Sequence, residues 1–460
     1  MRPLLRNTLI LTLILLSILV PYIASGYSEL RKAETARTHL EAAEHYQAAA
    51  LRIPWRADLY ELAGHHFYYA EEYVKADAAY QTALKRNALS PEGWVAWGDV
   101  TYLNGDLERG SEIWAQGIEQ PNSSDKLYSR LAQTYQDRGE YSKAAEYLQL
   151  YVNVHTEDAP AQYRLGLLLT ISNPNEALSH LSNASQLDPQ FDSAFQILRT
   201  ALNLSALSNS PSEQKVLIGR GLGLVQEWEL ARVAFEQAVQ LDEKNAEAWA
   251  WLGEADQQTA KNDALTSLDR ALSLDPNSAI VHGLRGLYFQ RIGNHREALA
   301  EFQEAAKLDP ENPSWYVSIG QEFAGLGDLI RAVQAYQVAI ALKPDSAEYY
   351  LLLANFCAQS NANVRDVGIP AAQKAVQMEP TNPSALDTLG WLLTLDGRTY
   401  EAESLLQQAL TLDPKLASAH YHLALLYLQA NDFDAMRIHL VAARDLGSAE
   451  AEALLQQYFP

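Results

Sequence analysis

The sequence predicts an all-α protein, a stacked array of helical hairpins behind one N-terminal hydrophobic helix, and two regularities carry that expectation. The first is a set of seven prolines, Pro54, Pro189, Pro276, Pro310, Pro344, Pro380 and Pro414, each with an alanine five residues before it. The steps from Pro276 to Pro310, from Pro310 to Pro344 and from Pro380 to Pro414 are 34 residues. The second is an apolar stripe in the same register. Twelve residues before each proline stands Ala42, Ala177, Ala264, Ala298, Ala332 or Ala402, with Gly368 the exception. Eight before it stands a bulkier apolar residue, Tyr46, Leu181, Leu268, Phe302, Tyr336 or Leu406, with Ala372 the weak member. Spacings of four, three and five place these groups on one face of a helix that ends at the proline. Small residues let helices approach, the large one fills the gap, and proline stops the helix.

From the N-terminus, Thr8–Val20 is a continuous apolar stretch of thirteen residues preceded by Arg2 and Arg6, with no acidic residue before Glu29. Residues 1–26 therefore read as a signal anchor or a signal peptide. The stretch has the length of a signal-peptide core, and Ala24-Ser25-Gly26 suits a cleavage region. Equally, the uncharged window Asn7–Ser28, 22 residues long, is enough for one membrane span. Basic residues before the core predict the N-terminus inside and the rest of the chain outside the cytoplasmic membrane. The expectation is a membrane-anchored chain with extracytoplasmic repeats, or a secreted one if the segment is cleaved. The first repeat shows only its second helix, Ala33 to Ile53, so its partner must come from the end of the apolar segment, which favours the anchor.

Upstream of each proline-terminated helix lies another, in which a large residue, an apolar residue and a tiny residue follow at spacings of three and one. Examples are Trp249, Leu252, Gly253; Tyr316, Ile319, Gly320; Tyr350, Leu353, Ala354; and Leu386, Leu389, Gly390. Units 57–90, 91–124, 125–158 and 212–245 lack the proline and keep the pattern, with Gly110 and Gly117 replacing alanines in the second of these. A degenerate unit 417–450 keeps Leu423, Ala424, Tyr427, Leu440 and Ala443. An extra apolar stretch after Phe191 ends in Ser208-Asn209-Ser210-Pro211-Ser212, a turn-rich joint. The expected organisation is a first block over 33–205, a joint over 206–211, a second block over 212–447, and a capping helix over 448–460 that covers the last apolar face.

This pattern resembles the tetratricopeptide repeat family, and residues 313–346 match it almost throughout with Tyr316, Ile319, Gly320, Phe323, Ala332, Tyr336, Ala339 and Pro344. The resemblance extends to about eleven complete repeats and a partial first one. It implies a right-handed superhelical solenoid that binds a protein or peptide ligand in a concave groove, lined from the first helix of each hairpin. The groove residues it implies are Glu61, His65, Tyr68, Tyr102, Tyr163, Gln321, Asn355, Asp387, Trp391 and Tyr421, a mixed aromatic and acidic lining. Members that grip a terminal carboxylate use lysine, arginine and asparagine there; apart from Lys126, Arg220 and Asn355 this chain places almost none.

Composition narrows the function. Net charge is −22, and since Arg2 and Arg6 are the only charges in the first 26 residues, the remainder carries about −24. So acidic a surface disfavours nucleic acid and docking on anionic lipid. Cys357, the one cysteine, falls at an apolar position, which excludes an intrachain disulfide and a cysteine-based metal site. His65 and His66 are adjacent, and His420 and His422 two apart, neither being the i, i+4 spacing of a helical metal site. No glycine loop follows a strand, and no Ser-His-Asp order is legible. No catalytic, cofactor or metal residues are expected. The leading expectation is a non-enzymatic scaffold at the outer side of the cytoplasmic membrane. The alternatives are an accessory subunit of a cell-envelope polysaccharide synthesis or export machine, a self-assembling solenoid, and an enzyme with a histidine-based site.

Overall fold

The computed structural model describes residues 2–261 and 263–459, the side chains of residues 2–7 excepted. Arg2 and Arg6, the cations of the orientation argument, thus have side chains outside the described residues. The described chain is all helical, without strands. It divides into two compact units, Met1–Ala206 and Leu207–Pro460.

In the first unit the opening helix α1 (Arg2–Thr35) runs without a break from the apolar stretch into the first hairpin, Pro21 included. Its last turns lie against α2 (His39–Arg52), where Gly26 and Ala33 are buried. The Tyr22 hydroxyl donates to the Leu51 carbonyl at 3.3 Å, and Glu29 accepts from His45 at 2.6 Å. The missing partner of the first repeat is therefore supplied by the end of the apolar helix. Hairpins α3 (Asp58–Tyr69) with α4 (Tyr73–Lys85), α5 (Pro91–Leu103) with α6 (Leu107–Ile118), and α7 (Lys126–Asp137) with α8 (Tyr141–Val154) follow. Helices Ala159–Ser172 and Pro174–Leu187 form the next, and a single helix, Asp192–Leu207, closes the unit. Among the described residues the second unit holds seven hairpins between Pro211 and Asp445, then the single helix Ala449–Tyr458, on whose inner face Ala451 and Leu455 are buried.

The alanine–proline spacing has a hydrogen-bonding cause. In all seven repeats the residue just before the proline is the C-cap, and its N–H bonds to the carbonyl of that alanine: Ile53 to Ala49, Asp188 to Ala184, Asp275 to Ala271, Asp309 to Ala305, Lys343 to Ala339, Glu379 to Ala375 and Asp413 to Ala409, at 2.8–3.2 Å. The proline has no N–H to extend the ladder and restricts the residue before it, so the helix ends there.

The tiny residue of the first helix and the large residue of the second are matched within each hairpin. Beyond the first hairpin, wherever the large residue is aromatic (Tyr80, Trp114, Phe235, Phe302, Tyr336), the tiny one is glycine: Gly64, Gly98, Gly219, Gly286 and Gly320. A Cβ on Gly98 would lie 2.0 Å from Trp114 Nε1. Alanine occurs only opposite smaller partners, as Ala132 with Leu148, Ala354 with Ala372, and Ala424 with Leu440.

Sequence reading gave no weight to the fifteenth residue of each repeat, between its two helices. That residue has positive φ in Gly105, Gly139, Gly293, Gly327 and Gly397, and also in Glu71, Gln226, Ala260, Asn361 and Asn431. For residues with a Cβ this conformation costs about 1–2 kcal/mol. Glu71→Gly and Gln226→Gly are expected to stabilise the fold by about 0.5–1 kcal/mol each, after glycine's greater unfolded-state entropy is subtracted; denaturant midpoints check this. The two-residue excess in 347–382 is absorbed after Asn361 by a second left-handed residue, Asn363, and a π-turn over Val364–Gly368. Gly368 replaces alanine there because a Cβ would meet that of Cys357 at 2.8 Å. Cys357 itself is buried, which pushes its thiol up to about 11.

Candidate functional site

Two clefts, one per unit, collect the residues expected to line a groove. In the first unit Tyr68 on α3, Asp99 and Tyr102 on α5, Trp114 on α6, and Arg130 and Gln133 on α7 surround a cleft of about 330 Å³. The Arg130 guanidinium grips Asp99 in a two-pronged pair, 2.8 and 3.2 Å. Tyr102 packs on Trp114 with ring centres 5.5 Å apart. Burial, and then the Asp99 charge, push the Tyr68 phenol above its ordinary pKa, so it stays a neutral donor.

In the second unit the cleft is about 390 Å³ and is bounded by helices Ala347–Ser360, Pro383–Leu395 and Ala417–Gln429. Asn355, Gln359, Ser384, Asp387, Trp391 and His422 line it. Asp387, almost fully buried, accepts from His422 Nδ1 at 2.7 Å, and the imidazole stacks on Trp391 with ring centres 4.8 Å apart and planes 6° from parallel. The Asn355 amide oxygen accepts from Thr388 Oγ1 at 2.7 Å. Nearest-neighbour stacking thus fixes an aromatic plate and an amide on one wall, the arrangement that takes an extended polypeptide by apolar contact and backbone hydrogen bonds.

The remaining expected groove residues have other neighbours. Glu61 is buried and caps the next hairpin, accepting from the Ser90 N–H at 2.6 Å and from the Ser90 hydroxyl. Burial alone would raise its pKa, yet the hydrogen bonds from His65 and Ser90 hold it below the ordinary carboxylate value. His65 sits between Glu61, at 3.3 Å, and the Tyr80 hydroxyl, at 2.9 Å. Tyr163 stacks on Phe191. Gln321 is exposed and accepts from Gln290 at 3.3 Å. Tyr421 is half-buried against the apolar cluster of the last hairpin. Much of the acidic lining is therefore engaged in ties between hairpins, as is Glu254, buried against Arg291.

Sequence reasoning weighed His422 only as a metal ligand; its role beside Trp391 depends on a contact with Asp387 thirty-five residues earlier. A hollow of about 650 Å³ among His295–Leu308, Pro313–Gly325 and Leu329–Leu342, lined by Tyr316, Ile319, Phe323 and Val338, had no signal of its own, since those residues serve the repeat pattern. Among the described residues no three His, Cys, Asp or Glu side chains converge as metal ligands do.

Three half-buried imidazoles set a pH response. Burial lowers the pKa of His66, helped by His39 and His65, of His180, against the opposing Glu176, and of His439, helped by His420 and opposed by Glu403. The unfolded chain then takes up protons near pH 6.5 while the folded chain does not, so stability is present above about pH 6.5 and is lost as pH falls below it. The thermal midpoint is expected to drop from pH ~7.5 to ~5.5, and a His66→Gln, His180→Gln, His439→Gln variant to show a flatter dependence.

Comparison with known proteins agrees with the hairpins. Residues 257–313 match the family model described as tetratricopeptide repeat. No curated protein matches the chain. Among solved structures, yeast Tom70 is 16% identical, with 96% of this chain and 95% of that one covered and a TM-score of 0.41. The APC/C hetero-tetramer Cut9–Hcn1 is 14% identical over 94% and 95%, with a TM-score of 0.46. YrrB, a TPR protein described with an unusual peptide-binding site, is 18% identical over 41% of this chain and 97% of that one, with a TM-score of 0.32. The fold assignment accordingly rests on the hairpins themselves: this is an all-helical array of stacked hairpin repeats, within which residues 257–313 match the tetratricopeptide repeat model.

Proposed function

We propose that the chain is a non-enzymatic scaffold that holds a protein partner at the outer side of the cytoplasmic membrane, gripping an extended or helical segment in its first-helix clefts. The observation that carries this reading is the second-unit cleft of about 390 Å³, where Trp391, stiffened by the Asp387–His422 pair, and the Asn355 amide held by Thr388 line one wall. An aromatic plate immobilised before binding lowers the ordering cost of recognition. Retention at the membrane is supported by α1, which is long and apolar enough to cross one, with a mean hydropathy of 2.3 over its best window. Its far end is also a structural part of the first hairpin. Cleavage at Ala24-Ser25-Gly26 would sever the helix where Gly26 is buried against α2.

The test is recovery of the partner from membrane extract by the full-length protein in detergent, beside an Asn355→Ala, Trp391→Ala variant. Loss of two central anchors is expected to reduce recovery about tenfold or more. Equal recovery would move the interface to another face.

A further inference from the structure

The apolar helix and the first hairpin meet in a way that assigns the repeat its own contact with the bilayer. Leu9, Leu11, Leu13, Ile14, Leu15 and Ile18 are each more than half exposed, and together they cover every side of α1. A helix apolar all round requires an apolar surround. At 1.5 Å per residue, Thr8–Val20 gives about 20 Å, short of a hydrocarbon layer of about 30 Å, whereas Asn7–Ser28 gives about 33 Å. A membrane span thus brings residues 22–28 to the outer boundary of the bilayer.

Along those residues α1 has a protein neighbour. Tyr22 bonds to Leu51 O, and a Cβ on Gly26 would lie 2.6 Å from Ile53 and 2.8 Å from Arg52. Helix α2 runs back down α1, and its last turn, with the turn that follows, shares the depth of residues 22–28. That segment reads Leu51-Arg52-Ile53-Pro54-Trp55-Arg56, and its two cations are met by acids beside it, Arg52 by Glu29 at 3.7 Å and Arg56 by Asp58 at 2.8 Å. Leu51 is 62% exposed, Trp55 58% and Tyr22 50%. Tryptophan and tyrosine favour the headgroup level, and arginine extends its charge outward from it.

We infer that the turn Leu51–Arg56 inserts into the headgroup–acyl boundary and seats the first hairpin on the membrane surface. The inference rests on the anchored reading of α1 and adds to it a defined contact from the repeat. Continuous helix joins span to hairpin, so the seat fixes the first hairpin's tilt.

The test uses the full chain with Cys357→Ala, and single cysteines Leu15→Cys, Leu51→Cys or Tyr400→Cys bearing an environment-sensitive fluorophore. Each is reconstituted in phosphatidylcholine vesicles with and without a quencher near the headgroup end of the acyl chain. The label at residue 51 is expected to be blue-shifted and quenched about twofold or more relative to that at residue 400, which is 90% exposed on the second unit. A label at 51 that behaves like 400, while 15 reports lipid, overturns the seat and leaves the anchor standing. A label at 15 that reports water overturns both.

Discussion

Gly98→Ala is expected to destabilise the first unit by about 2–3 kcal/mol, the cost of overpacking a site whose neighbour cannot retreat. The new Cβ would stand 2.0 Å from Trp114 Nε1, and that indole is buried and held by a 3.1 Å hydrogen bond to the Val95 carbonyl. Ordinary helix propensity points the other way, since alanine is favoured over glycine by about 1 kcal/mol, so the sign alone discriminates. Trp114→Leu in the same chain recreates the Ala132–Leu148 pairing found in the next hairpin and should recover part of the loss. Denaturant unfolding of the four members of this cycle measures the coupling, and hydrogen exchange should localise the weakening to residues 91–118.

The second large effect concerns a tie between hairpins. Glu254 is 4% exposed and takes two 2.6 Å hydrogen bonds from Arg291, thirty-seven residues on. Glu254→Ala leaves a guanidinium facing a hole. Breaking a fully buried pair costs about 3–5 kcal/mol; since Arg291 keeps 35% of its side chain in solvent, about 2 kcal/mol is expected here. Glu254→Gln should cost less, because the amide oxygen still accepts. A result in which Gln and Ala cost the same would show that Arg291 draws its partner from Gln257, 2.7 Å away, or from water.

The hairpins were legible in the sequence because their constraints are local. A missing N–H at proline and a clash between Gly98 and Trp114 each involve residues within one repeat, and they recur at a fixed spacing. The first hairpin was legible only by subtraction, because α1 carries Gly26 and Leu30 where other repeats carry a large and a tiny residue. The left-handed residue between helices escaped notice at Glu71 and Gln226, whose identity gives no sign of the conformation they adopt. The candidate site was legible in part. Tyr68, Tyr102, Asn355, Asp387 and Trp391 do line clefts, whereas Glu61 turns to the next hairpin and His65 to Tyr80 within its own. Which way an acidic side chain turns depends on a partner some thirty residues distant, Ser90 for Glu61 and Arg291 for Glu254, and spacing within one helix carries no record of it.

The account stands or falls on whether a protein occupies the second-unit cleft. The direct measurement is photo-cross-linking in native membranes with a photoreactive residue placed at Asn355, and at the outward-facing Tyr400 as the comparison. A discrete protein adduct at 355 that is absent at 400, and that disappears with Trp391→Ala, is the predicted result. Adducts at 400 alone, or adducts at 355 composed only of a second copy of this chain, would contradict it.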